Sequence, residues 1–135
     1  PILVAREAKG MTTSVSGRCF LGMDLPRLFG GRCHRWVYRC PHGASFVPWA
    51  TVPPEQFCYT PNEKNISVNQ GSENGIRSLC RTCDSQMLCQ TEPEVIEIAR
   101  TALHEPIDRK PDEHWYFDSR TEWTRVGDDL PKTWW

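Results

Sequence analysis

Eleven prolines and nine glycines are spread along 135 residues, and this punctuation constrains the fold more than any other feature of the sequence. A proline inside a helix removes a hydrogen bond and clashes with the preceding turn, so the spacing argues against long helices. The short pieces left between breakers carry strand chemistry. Trp36-Val37-Tyr38, Ser45-Phe46-Val47, Trp49-Ala50-Thr51-Val52 and Val95-Ile96-Glu97-Ile98 are rich in β-branched and aromatic residues. From Glu94 to Ala99 the alternation is only partly of period two, which points to a mostly buried strand. Asn62 to Gly75 is polar and rich in Asn, Ser and Gly, as in a long loop or an irregular hairpin. Pro106 to Glu113 reads as a solvated connection. The sequence predicts a mainly β single domain of short strands, with little helix.

A chain of this length can bury a core of its own. Its net charge of −1 gives no general reason to bind nucleic acid or an anionic membrane. No apolar run approaches the roughly 20 residues of a membrane span. Seven cysteines, an odd number without a secretion signal, read as reduced thiols of a cytoplasmic protein rather than a disulfide framework. Met11 opens a stretch that looks like a natural start. Residues 1–13 are therefore read as an extension, 14–132 as the domain and 133–135 as a tail.

Two segments carry candidate chemistry. From Leu25 to Pro54 there is no Asp or Glu, while Arg27, Arg32, Arg35, Arg39, His34 and His42 are present, which suggests a site for an anion. Cys80-Arg-Thr-Cys83 places two thiols on a tight turn where both can face one zinc ion, with Cys19 as a third ligand. A redox dithiol and plain buried thiols are the alternatives for that pair. Cys58 and Cys89, in strand-like pieces, read as core thiols.

The ordered series Gly17-x-Cys19, Cys33-His34, Gly43-Ala44-x-Phe46, Val52-Pro53, Cys80-x-x-Cys83, His114-Trp115 and Asp129-Leu130-Pro131 resembles the glutathione-dependent formaldehyde-activating enzyme family, which includes the centromere protein V domain. The resemblance spans residues 14 to 132 and is closest from His114 to Trp123. It implies a compact, mostly antiparallel β structure of the β-tent type. In that family a Cys-x-Cys and a late Cys-x-x-Cys hold a structural zinc. A central Cys-His-Cys-x-x-Cys holds a second zinc, where a thiol adduct forms with an aldehyde.

This chain departs from the pattern. Leu21 stands at the position partnering Cys19, and Arg35 and Tyr38 stand where two of the three central cysteines belong. Arginine stays protonated and repels a cation, so no catalytic metal is expected at the central site. Cys40 and His42 offer a less favoured way to rebuild a site with Cys33 and His34. The structural zinc keeps Cys19, Cys80 and Cys83, with Cys33 or water as a fourth ligand; the alternative is apolar packing around Leu21.

The resemblance and the substitutions together suggest an enzyme acting on a small, carbonyl-containing molecule. Arg35 would clamp an oxyanion or carboxylate, and Tyr38, His34 and His114 would move protons. Arg39, Trp36 and Phe46 would line the substrate. Dehydration, isomerisation or cyclisation, in a biosynthetic setting, fits this equipment. The alternatives are a non-catalytic binding module on the same fold, in which Tyr38 and Trp36 simply fill space, and a carbon–sulfur lyase joining glutathione to formaldehyde. The expected partner is a small molecule, with no nucleic acid and no membrane, and the oligomeric state is left open.

Overall fold

The computed structural model describes residues 12–15, 19–23, 30–52, 57–59, 66–72, 75–92, 95–102 and 110–134, with backbone alone for 12–15, 19–23, 57–59, 72 and 92. Most of the expected extension, the first part of the Asn62–Gly75 segment, the first half of the 106–113 connection and the side chains of Cys19 and Cys58 lie outside the described residues.

The chain is mainly β. Strands β1 (Thr12–Val15), β2 (Cys19–Met23) and β5 (Phe57–Tyr59) form an antiparallel three-stranded sheet in the order β1-β2-β5. The remaining strands are β3 (Gly31–Cys33), β4 (Val47–Val52), β6 (Ile66–Ser72), β7 (Gly75–Cys80), β8 (Gln86–Glu92), β9 (Val95–Ala99) and β10 (Glu113–Trp115). They form a seven-stranded sheet in the order β10-β3-β4-β9-β8-β7-β6. Every neighbouring pair in it is antiparallel except β10 and β3, which run parallel. The polar segment after Asn62 resolves into the irregular hairpin β6–β7, with a bulge between Gln70 and Ser72.

Register sorts the side chains of the large sheet. Cys33 opposes Val47, Trp49 opposes Ala99, and Glu97 opposes both Thr51 and Cys89, so these share one face. Cys33, Val47, Trp49, Cys89 and Ala99 are buried there with Tyr38. On the other face Ala50, Val52, Leu88, Ile96 and Ile98 are buried. With both faces covered, β9 is the mostly buried strand that its pattern predicts. Only the half-buried Glu97 interrupts its apolar side chains.

The expectation of a strand at Trp36-Val37-Tyr38 is wrong. Trp36–His42 is a helix, α1, and the next strand begins at Val47 rather than Ser45. A helix of seven residues is too short to stand on propensity, so tertiary contacts override the β-favouring side chains. Tyr38 meets Trp49 edge-on, with ring centroids 5.4 Å apart. Gly43, in the left-handed region at φ 58°, ends the helix and donates its N–H to Arg39 and Cys40 carbonyls. Pro41 inside the last turn has no N–H to give the Val37 carbonyl. Arg77 Nη2 on β7 supplies that bond from across the sheet, at 2.8 Å.

The chain end completes the β10 edge. His114 N donates to Pro131 O (2.8 Å), Thr133 N to His114 O (2.7 Å) and Phe117 N to Thr133 O (2.9 Å). Among the described residues, no helix is long and apolar enough to cross a membrane.

Candidate functional site

Four residues expected to act together, His34, Arg35, Tyr38 and His114, fall into two clusters on opposite sides of the β3–β10 ladder. The parallel register pairs Trp115 with Cys33 and His114 with Arg32. Cys33 and Trp115 therefore face α1, while Arg32 and His114 face the opposite way.

On the α1 side, Arg35 leads into the helix and is exposed. Its guanidinium lies 4.7 Å from the Tyr116 ring centroid and 5.9 Å from that of Tyr38. Stacking on two aromatic faces holds the cation while leaving its edge donors available. Tyr116 adopts a left-handed backbone, φ 52°, which a non-glycine residue holds only when its surroundings fix it. Beneath lie Cys33, Tyr38 and Cys89. Burial pushes the Cys33 thiol up to about 12 and raises the Tyr38 phenol and the Cys89 thiol as well. All three are uncharged at neutral pH, and Tyr38 hydrogen-bonds Cys89.

Glu97 completes this cluster, and the expected site residues did not include it. Register puts it on the face of Cys89, and it is close enough to Arg35, Cys33 and Tyr38 for their charges to act on one another. Burial raises its carboxyl to about 7, against the pull of Arg35. A carboxyl that titrates near neutrality can both take and return a proton. The sequence signal was a lone acid inside the apolar run Val95-Ile96-Glu97-Ile98.

On the opposite side, His34 and His114 are both fully buried. His34 Nε2 lies 2.9 Å from His114 Nδ1, and His114 Nε2 lies 3.0 Å from Asp128 Oδ1. Arg32 pairs with the other oxygen of Asp128. The hydrogen bond with His114 draws the Asp128 carboxyl down to about 2. Burial, followed by the charges of His114, Arg120, Arg39 and Arg32, drives His34 down to about 4. His34 is therefore no proton exchanger for the Arg35 cluster at neutral pH, which corrects the expectation of a single four-residue site.

The proposed lining residues scatter. Arg39 donates Nε to His34 O (2.7 Å) and Nη2 to Ser119 O (3.1 Å), so it ties α1 to the C-terminal segment instead of presenting itself to a substrate. Phe46 packs on His34, with centroids 5.6 Å apart and Arg32 above it, and belongs to the histidine side. Trp36 is exposed on α1.

The thiol pair Cys80 and Cys83 does sit on a tight turn. Asp84 N donates to Cys80 O (2.8 Å), Cys80 N to Ser85 O (3.0 Å), and Asp84 takes a left-handed φ of 55°. Cys80 is buried and Cys83 exposed, with Cys83 Sγ 3.1 Å from Ser85 Oγ. The backbone of Cys19 is on β2, but its side chain lies outside the described residues. Cys33 is not the fourth ligand: β4, β9 and β8 separate its strand from that of Cys80, roughly 19 Å at the usual strand spacing. Among the described residues no three His, Cys, Asp or Glu side chains converge as a metal site. The central positions also do not fit a zinc ion, since beside the one thiol of Cys33 they offer the guanidinium of Arg35, which repels a cation, and the phenol of Tyr38 in place of thiolates.

The fold is that of a known solved structure. A crystal structure of a Rhodobacter sphaeroides protein, a structural genomics target, is similar with a TM-score of 0.61 at 18% identity, covering 91% of this chain and 100% of that one. At this identity the likeness establishes the shared fold alone. No protein-family model matches the chain, and no curated protein matches it in sequence.

Proposed function

We propose that the protein is an acid–base enzyme on a formaldehyde-activating type of scaffold, acting on a small carbonyl-containing molecule without a catalytic zinc. The observation that supports this most is the pairing of a half-buried carboxyl titrating near 7, Glu97, with the stacked and exposed guanidinium of Arg35. Arg35 binds the carbonyl or carboxylate oxygen and stabilises negative charge as it develops there. Glu97 removes a proton from the adjacent carbon and returns it elsewhere on the molecule, which is isomerisation, or expels hydroxide as water, which is dehydration. Tyr38, neutral in its buried position, serves as floor and hydrogen-bond donor rather than as base.

The test is exchange of carbon-bound protons for deuterium in D2O, followed by NMR, across a panel of enolisable ketones and keto acids. Exchange should persist after chelator treatment and be lost in both Glu97→Gln and Arg35→Ala. If both folded variants exchange as fast as the parent on every active compound, the reading is wrong. Two other readings stand beside it. Trp36, Trp123 and Trp134 are 68%, 70% and 61% exposed, which favours a non-catalytic binding module if no compound exchanges. Acceleration of the glutathione–formaldehyde equilibrium would instead favour the carbon–sulfur lyase.

A further inference from the structure

The arginines of this fold are used in two ways. Arg32 pairs with Asp128, while Arg39, Arg77 and Arg120 each donate to main-chain carbonyls, so these guanidinium groups are engaged by the structure itself. Arg35 differs. Among the described residues no carboxylate or carbonyl accepts a hydrogen bond from its side chain, and the Tyr116 and Tyr38 rings hold it instead. Its main chain is fixed as well, since Arg35 O accepts from Tyr38 N (3.1 Å) and Arg39 N (3.0 Å). The N–H groups of a guanidinium lie in its plane, so rings packed on its faces leave the fork of donors open. Arg35 is exposed, and a ligand reaches that fork from solvent without entering the core. Because the cation is already ordered, less freedom is lost when the ligand arrives.

A planar fork of parallel N–H donors matches the two oxygens of a carboxylate. The neighbouring groups then set how much negative charge the site tolerates. Around Arg35 and Glu97 of β9 stand Cys33 of β3, Tyr38 of α1 and Cys89 of β8, with Arg77 of β7 acting on Cys89. The two thiols and the Tyr38 phenol are uncharged at neutral pH. Among these described neighbours that leaves Glu97 to carry negative charge, directed at the same cation a ligand would use. One negative charge on the ligand is balanced by Arg35. A second meets Glu97 and is repelled.

We propose that the substrate of this site is the monoanion of a small carboxylic acid, seated with its carboxylate in the Arg35 fork, and that Glu97 excludes ligands of higher charge. The inference rests on the acid–base reading of the Arg35 cluster and narrows its substrate class. It carries a consequence for protons. Arg35 pulls against the protonation of Glu97, and a carboxylate bound to Arg35 cancels that pull and adds its own repulsion. Glu97 therefore takes up a proton as the acid binds, and binding weakens as Glu97 ionises.

The experiment titrates acetate into the intact protein labelled with 15N in arginine, at constant ionic strength. Acetamide is the uncharged control and malonate the doubly charged one. The signal is the Arg35 Nε–H resonance, assigned by its loss in Arg35→Ala. Acetate should shift it saturably, and acetamide should not. Acetate affinity should fall several-fold from pH 6 to pH 8, and at pH 8 malonate should bind more weakly than acetate. In Glu97→Gln acetate affinity should become level with pH, and malonate should overtake acetate. The comparisons in the parent need no variant, so the proposal stays testable should Glu97→Gln not fold. It is overturned if acetate leaves the Arg35 resonance unmoved, if acetamide shifts it alike, or if acetate binds the parent equally at pH 6 and pH 8. Tighter binding of malonate than of acetate to the parent at pH 8, or an unchanged pH dependence in folded Glu97→Gln, overturns it too. None of these measurements involves turnover. Ketones that exchange while acetate fails to bind would refute the carboxylate site and leave the acid–base reading standing, and acetate binding as described without any exchange would do the reverse.

Discussion

Replacing Glu97 by Gln tests the electrostatics of the Arg35 cluster without any knowledge of a substrate. Burial raises this carboxyl from an ordinary 4.5 to about 7. Between those values the folded state holds a proton that the unfolded chain has released, so stability falls as pH rises through this window and is level above it. At about 1.4 kcal/mol per pH unit, the cost of keeping Glu97 ionised amounts to about 3 kcal/mol at pH 8. Glutamine keeps the shape and removes the charge. Urea unfolding at a series of pH values should therefore show Glu97→Gln about 3 kcal/mol more stable than the parent near pH 8, and about equal to it near pH 4. His34 works in the opposite sense over nearly the same range. Its folded-state value is lowered from 6.5 to about 4, so it contributes stability that is present above about 6.5 and lost as pH falls through about 4. In the parent the two slopes oppose each other, giving a shallow profile. In Glu97→Gln the His34 slope is left uncovered, and stability should rise from about pH 4 to about pH 6.5. A difference between variant and parent that stays constant across pH would refute the assignment of Glu97 as a buried, near-neutral carboxyl.

Three further outcomes follow from the packing. Gly30→Ala should cost about 3 kcal/mol by urea unfolding, because its Cβ would collide with the backbone oxygen of Trp49, which cannot swing away. Gly31→Ala, whose Cβ would come 2.5 Å from Trp115 Cε2, should cost about 2 kcal/mol and change the near-UV circular dichroism of that indole. In the native protein a thiol reagent should label exposed Cys40 within minutes and spare Cys33 and Cys89 until denaturant is added. Mass spectrometry after brief labelling measures this, and early modification of Cys33 would contradict its burial and raised pKa.

The strand content was legible in the sequence because it rests on local signals: β-branched pairs in Val95–Ile98, and breakers that bound the hairpin between Ile66 and Cys80. The helix at Trp36–His42 was not, because its side chains favour strand locally and its stability comes from Trp49, Arg77 and the turn at Gly43. Arg35 and Tyr38 were expected at one site and do meet there. The split between Tyr38 and His34 depends on which face of a three-residue strand each neighbour follows, and a one-residue change of parity decides it. Glu97 and Asp128 went unnoticed for a related reason. Each gains its chemistry from partners distant in the chain, as His114 and His34 do across 80 positions.

The parallel pairing of β10 with β3 has a consequence for synthesis. Parallel ladders need long connections, and here the whole of β4 to β9 lies between the two partners. A ribosome making this chain has released β3 long before β10 exists, so β3 must wait with one edge open. Residues 131–133, which bond to His114, emerge later still than β10. Neither the stack of Arg35 on Tyr116 nor the His34–His114–Asp128 chain can form until then. Both clusters thus wait on a closure that comes long after β3 is made, and contacts this distant in sequence make that closure slow.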